Sequence, residues 1–318
     1  MINSNKINSN KNTLAIFGLL FGAFCWGIIW YPYRLMAEAG VSGVASSFYT
    51  YCIATLLAGT YFSKYLARHW RELFKQPQNV IWIGLIAGWT NLSYVLAVID
   101  GEVMRVMLLF YLSPLWTLLL ARFWLQEPIT KIGFISITIA LIGAYIMLAG
   151  PFSEVESRLP IPRNSAEWLA LSAGIGFSLT NVITRKSSHL NLLQKSFAVW
   201  VGVIVVAALS APFLVNYYGQ NFVTPSFFSL NHWLIMVVIA LLLIAATMLV
   251  QFGVTQLTAV RASVLFLFEL VVAAIASYYL AHEAMTLNEW LGGLLIIAAA
   301  LTAALNHKDW VLIKRSPA

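Results

Sequence analysis

Glu269 stands in the middle of an apolar run, Val260–Ala281, and no other acid of the chain falls deep within such a run. A charge at bilayer depth costs roughly 2.5–3.5 kcal/mol on insertion scales. No basic side chain at comparable depth offsets it. Two readings follow. A carboxyl that gains and loses a proton as water reaches it is a coupling group for transport. A neutral carboxyl hydrogen-bonded across a helix interface is a structural one.

Other polar groups interrupt apolar runs. Gly84, Gly88 and Asn91 share one helical face, as do Thr247, Gln251 and Thr255, and Asn181 falls in a third run. Lipid offers such groups no partner, so they face protein or water. They either join helices or line a solute cavity. Trp26, Trp30, Trp89, Tyr94 and Tyr111 offer rings that pack a core or stack on a flat or cationic solute. Gly27 shares a stripe with Trp30. Tyr33 and Trp290, near run ends, fit an interfacial belt. Pro114 lacks a backbone N–H, which frees the Phe110 carbonyl and kinks that run. Arg34 and Arg185 suit either a solute carboxylate or an interfacial anchor, and Arg105 and Arg261 carry the same ambiguity.

These residues must be held by helices in a membrane. Sixty per cent of the 318 residues are hydrophobic and only 10% are charged, with mean hydropathy +0.81. Soluble domains carry about 25% charged residues. About 20 apolar residues cross the hydrocarbon as a helix. Ten runs qualify: Leu14–Leu35, Val44–Lys64, Val80–Ile99, Val103–Leu125, Lys131–Gly150, Ala166–Thr184, Ser196–Val215, His232–Val254, Val260–Ala281 and Glu289–Asn306. The first follows Lys6 and Lys11 as a signal peptide would, but it reads as a transmembrane helix because no small-residue cleavage pattern ends it and further spans follow. Cys25 and Cys52 both fall inside runs, which argues against a disulfide framework.

Basic residues fix the expected orientation. With the N-terminus cytoplasmic, only Arg34, Arg105, Arg158 and Arg163 of the 19 basic residues fall outside. This bias puts both termini in the cytoplasm of a cell with the chain in its inner membrane. The net charge of +7 follows from that topology; the basic residues form no patch for a phosphate backbone, so nucleic acid is not an expected partner.

The chain also repeats itself. Arg105 to Glu127 aligns with Arg261 to Glu283, an offset of 156 residues. Ala23, Gly27, Trp30 and Arg34 align with Gly174, Ser178, Asn181 and Arg185, an offset of 151, each set on one helical face. An odd number of spans per copy makes the second copy enter from the opposite side. The expected fold is all-α integral membrane, ten transmembrane helices as two inverted five-helix repeats, residues 1–150 and 151–318. Solute sites in such proteins lie near the midplane between the halves.

Several short motifs strengthen this. Trp26-Gly27, Arg261-Ala262-Ser263, Phe268-Glu269-Leu270-Val271 with His282-Glu283, and Leu112-Ser113-Pro114-Leu115 with Gln126-Glu127 resemble the drug/metabolite transporter superfamily, most closely its EamA-type exporters. The chain departs from that pattern at Leu270, where the family often has proline, and in the Trp30-Tyr31-Pro32-Tyr33-Arg34 run. The resemblance implies export of small amphipathic metabolites such as amino acids, with no cofactor or metal. Proton coupling through Glu269 would fit. A drug or organic-cation exporter is the alternative within transport; a membrane scaffold or cryptic membrane enzyme is the alternative outside it. Against an enzyme, Asp100 and Asp309 are the only aspartates, no span holds a metal-ligand set, and His69, His189, His232, His282 and His307 sit at span ends or in loops. The expected partners are the bilayer, a small solute and protons.

Overall fold

A chain in hydrocarbon must pair every backbone N–H and C=O within itself, and helices do this locally. The computed structural model describes residues 2–73, 77–100, 103–128, 130–148, 162–218, 228–280 and 286–305, and among these there is no strand. The helices are α1 (Ile2–Glu38), α2 (Gly43–Tyr61), α3 (Ser63–Leu73), α4 (Pro77–Asp100), α5 (Val103–Phe110), α6 (Ser113–Trp124), α7 (Lys131–Leu148), α8 (Ser165–Lys186), α9 (Leu192–Tyr218), α10 (Leu230–Gln256), α11 (Ala259–Phe266), α12 (Phe268–Leu280) and α13 (Leu287–Leu305).

Among the described residues, six stretches are long and apolar enough to cross a membrane: Lys11–Met36, Pro77–Ala97, Ser165–Lys186, Leu192–Phe213, Leu230–Gln256 and Ala259–Leu280. Lys131–Ile146 and Trp290–Ala303 are shorter apolar helices. The protein is an all-helical, multi-pass membrane protein. Large apolar side chains line its outside, among them Phe123, Phe213 and Leu209, as a lipid-facing surface requires.

Three features differ from the sequence reading. The helix over the first run starts in the polar segment before it, at Ile2, and continues through Pro32. Ser63–Leu73, of which only Ser63 and Lys64 belong to an expected run, is a helix, and its sequence places Lys64, Arg68 and Arg71 among apolar residues. The fourth run is broken in two at the expected kink, and the ninth, where none was expected, is broken as well. In the fourth, Pro114 in the first turn of α6 cannot donate an N–H. In the ninth no proline is present; Leu267 and Leu270 instead make tighter bonds to Val264 and Leu267 carbonyls, at 3.2 and 3.1 Å. The two breaks correspond: α5 spans Val103–Phe110, and the residues 156 further on, Ala259–Phe266, are α11.

Small residues let the helices approach. Gly84 and Gly88 of α4 form a G-x-x-x-G face, and Gly202 of α9 packs directly on Gly84. Gly18 and Gly22 of α1 lie on Leu249 and Val250 of α10, and Gly143 of α7 lies on Gly292 of α13. Three helix starts are closed by side chains: Ser42 caps α2, Asn164 accepts from Glu167 N at 2.9 Å to cap α8, and Ser229 with His232 caps α10.

Candidate functional site

The two broken helices meet. Tyr111 lies in the first break, and Glu269 is the second residue of α12, just past the second. The Tyr111 hydroxyl hydrogen-bonds the Glu269 carboxyl, and Tyr94 of α4 stands close enough to sense its charge. Tyr111 is buried, whereas Glu269 and Tyr94 are half-buried. The break places Glu269 in the first turn of α12, where a helix favours negative charge.

Aromatic rings continue from there. Tyr94 tilts against Phe110 at 4.8 Å, and Phe110 meets Phe177 of α8 at 5.7 Å. Phe177 meets Phe266 at 5.1 Å and Trp26 of α1 at 6.3 Å, while Trp26 meets Phe266 at 5.7 Å. These separations fall in the range where ring pairs attract beyond simple burial. Phe110 and Phe266 are the last residues of α5 and α11. Trp26 and Phe177 stand 151 residues apart, and Phe110 and Phe266 stand 156 apart, the two offsets seen in the sequence.

The backbone beside the acid is equally close. Gly27 faces the Glu269 carbonyl and Val272. Gly174 faces the Phe110 carbonyl, the group that Pro114 leaves without an intrahelical donor. Ser178 donates to the Ser113 carbonyl at 2.7 Å.

The remaining expected site residues divide. Asn181, Thr247 and Gln251 are buried on α8 and α10, which pack against each other, and the Gln251 side-chain oxygen has no hydrogen-bond partner. Asn91 is half-buried on α4. Trp30 is half-buried and packs edge-on against Tyr31 at 5.7 Å. Trp89 is 44% exposed, on a stripe with Ile81, Trp82 and Leu85, away from the buried face of α4. Arg34 is exposed and pairs with Glu38 of its own helix, while Arg261 is buried and donates to Asn12 Oδ1 at 3.2 Å. The Arg105 side chain and all of Glu283 lie outside the described residues. Among the described residues no group of His, Cys, Asp or Glu has metal-site proximity.

Sequence reasoning missed the rings of Phe110, Phe177 and Phe266 and the hydrogen bond between Ser178 and Ser113. The repeat offsets would have found them, because they pair Trp26 with Phe177 and Phe110 with Phe266.

The EamA-like transporter family matches the chain over residues 13–149 and 164–305. The chain belongs to the EamA-like transporter family. This EamA-like protein is therefore a membrane transporter, with a small-molecule solute and membrane lipid as its partners. A protein described as an "uncharacterized transporter" from Archaeoglobus fulgidus is 21% identical over 234 residues, covering 73% of this chain and 78% of that protein. A solved crystal structure superposes with a TM-score of 0.70 at 18% identity, covering 93% of this EamA-like chain and 98% of the other, which speaks to fold alone.

Proposed function

We propose that the chain is a secondary transporter of ten spans, arranged as inverted repeats of residues 1–150 and 151–318. It sits in the inner membrane with both termini cytoplasmic and exports small amphipathic metabolites such as amino acids, with Glu269 as the proton-coupling group. Trp26, Gly27, Trp30, Asn91, Tyr94, Tyr111, Asn181, Thr247 and Gln251 are the proposed solute-facing set, and Trp89, on the exposed stripe of α4, is left out of it. The observation that carries this reading is the Glu269 carboxyl placed where two helix breaks meet and bonded there by Tyr111. Broken helices at membrane depth are tolerated where they border protein or a water-filled cavity, and transporters bind solute there.

The repeat is supported by which helices touch. α4 packs on α8 and α9, and α10 packs on α1 and α2. α6 packs on α8, and α12 packs on α1. Each contact has its counterpart when the first five spans are exchanged with the last five. The family's two separate matches support it as well.

Reconstituted protein should move labelled solute faster under an imposed pH gradient, and Glu269→Gln should fold but lose that acceleration. Wild-type pH dependence in the variant would reject Glu269 as the coupling group. An organic-cation exporter is the second reading, favoured by the aromatic rings around the acid. It requires Glu269→Gln to lose cation binding as well.

A further inference from the structure

Charged groups gather at a second place, where α6, α8 and α10 end and α9 and α11 begin. Both oxygens of the Glu127 carboxylate are used. One accepts from Arg185 Nε at 3.0 Å, and the other accepts from the Ala259 backbone N–H, at the first residue of α11, at 3.0 Å. Arg185 also donates through Nη1 to the Thr255 carbonyl near the end of α10. Lys195 of α9 is 1% exposed and donates to Thr255 Oγ1 at 2.9 Å. The Thr255 hydroxyl in turn donates to the Gln251 carbonyl at 2.7 Å. One carboxylate thus ties together ends of helices from both halves of the chain.

The backbone is bent to bring Glu127 there. Gln126 has φ of 54°, the one non-glycine residue with positive φ among the described residues, and Glu127 N–H returns to the Ala121 carbonyl at 3.2 Å. A left-handed non-glycine residue persists where its surroundings impose it, and such strain gathers at switch regions.

The repeat counterpart of Arg185 is placed differently. Arg34, which stands 151 residues before Arg185, has a side chain 56% exposed and pairs with Glu38 one turn along α1. The Arg185 and Glu127 side chains are 11% and 14% exposed. Among the described residues, the Glu127–Arg185 pair is thus the shielded one and the Arg34–Glu38 pair the exposed one.

We propose that the Glu127–Arg185 pair is the latch that closes this end of the transport path, the cytoplasmic end under the topology proposed above. The proposal rests on that transport reading. Glu127 and Arg185 are positioning residues: their pair holds the ends of α6, α8 and α11 together, and parting them lets water and solute in. Lys195 sharpens the switch. Once the carboxylate lets go, two cations remain near each other in a site that cannot stay dry, so opening and hydration occur together. Transport then requires the pair to break and reform in each cycle.

The test needs no solute, so it is independent of the coupling role of Glu269. Cys25 and Cys52 are changed to Ala, and a single reporter replaces Thr184, which is buried one residue before Arg185. A membrane-impermeant thiol reagent is applied to vesicles of either sidedness. Glu127→Gln, and separately Arg185→Lys, should raise the labelling rate from the Arg185 side at least about fivefold, the low end of a normal conformational coupling, with no rise from the other side. Folded variants whose labelling is unchanged would overturn the latch. So would a lower Tm without added labelling, which marks a purely structural ion pair. Equal rises from both faces would indicate loosening of the whole protein and also overturn it. Should Glu127→Gln not fold, Arg185→Lys, which keeps the charge but removes the Nε donor, decides alone.

Discussion

Gly27 lies against the backbone of Glu269, so close that a Cβ at position 27 would come within 2.9 Å of the Glu269 carbonyl oxygen and 2.7 Å of Val272 Cβ. The residue 151 further on, Ser178, does carry a side chain, and its hydroxyl donates to the carbonyl of Ser113, the residue 156 before Glu269. One contact is made through space left by glycine, the other through a hydrogen bond. Both hold a long helix against the start of a broken one.

Gly27→Ala should therefore displace the start of α12 together with Glu269. Its nearest obstacles include a backbone oxygen and a β-branched Cβ, neither of which can swing aside. Overpacking of this kind costs about 1–3 kcal/mol. The expected result is a lower Tm in detergent and a loss of transport larger than that of a control such as Gly59→Ala, where nothing lies within 4 Å of the new methyl. Equal transport by the two variants would show that the α1–α12 contact does not position the acid.

Tyr111→Phe keeps the ring and removes the hydroxyl that bonds Glu269. The ring still packs on Phe110 at 5.3 Å, so the variant should fold. A hydrogen bond to a charged group contributes about 1.5–3 kcal/mol. Transport driven by a pH gradient should accordingly fall by about tenfold or more, and its pH profile should move. An unchanged profile, measured over the range in which the wild type is active, would separate Tyr111 from the coupling step.

Gly202→Ala tests the packing between α4 and α9 rather than the site. A Cβ at 202 would overlap the Gly84 backbone. Both partners are main chain, so the helices must separate, and a cost at or above about 1–3 kcal/mol is expected. Thermal unfolding followed by tryptophan fluorescence should show it, and Gly59→Ala again serves as the neutral comparison. A variant as stable as wild type would mean that α4 and α9 can slide apart without penalty.

Much of this was legible in the sequence. Long apolar runs announced the helices because hydrocarbon forces backbone pairing within each segment. Pro114 announced the break in the fourth run because it removes a donor. The break before Glu269 had no such sign: Leu267 and Phe268 are ordinary helix formers, and packing at Val264 and Leu270 sets their geometry. The fit of Gly27 to Glu269 was equally hidden, since a glycine in a span reports closeness without naming its neighbour. Glu127 read as a motif residue in a loop, and only the fold shows that it reaches Arg185, 58 residues away, and Ala259, 132 away. Trp89 had the right type for a solute-stacking ring, yet helical phase put it on the exposed stripe of α4 with Trp82.

Phe177 is the ring on which the others converge, touching Trp26, Phe110 and Phe266. Its removal should be felt more than that of any ring at the edge of the cluster. Phe177→Ala leaves a void among side chains held by four helices, and Phe→Ala changes in cores cost about 3–5 kcal/mol. Phe177→Leu should cost less because it refills most of the volume. Trp26→Phe installs at 26 the residue already present 151 positions later, and it should be the mildest of the three, because the partner distances from 26 and 177 to Phe266 and Phe110 are both 5.7 Å. The measurement is the order of Tm values in one detergent, with transport rates read alongside. The expected order is wild type, Trp26→Phe, Phe177→Leu, Phe177→Ala. A Trp26→Phe variant less stable than Phe177→Leu would show that the two positions are not interchangeable. The matching offsets would then describe spacing without shared packing.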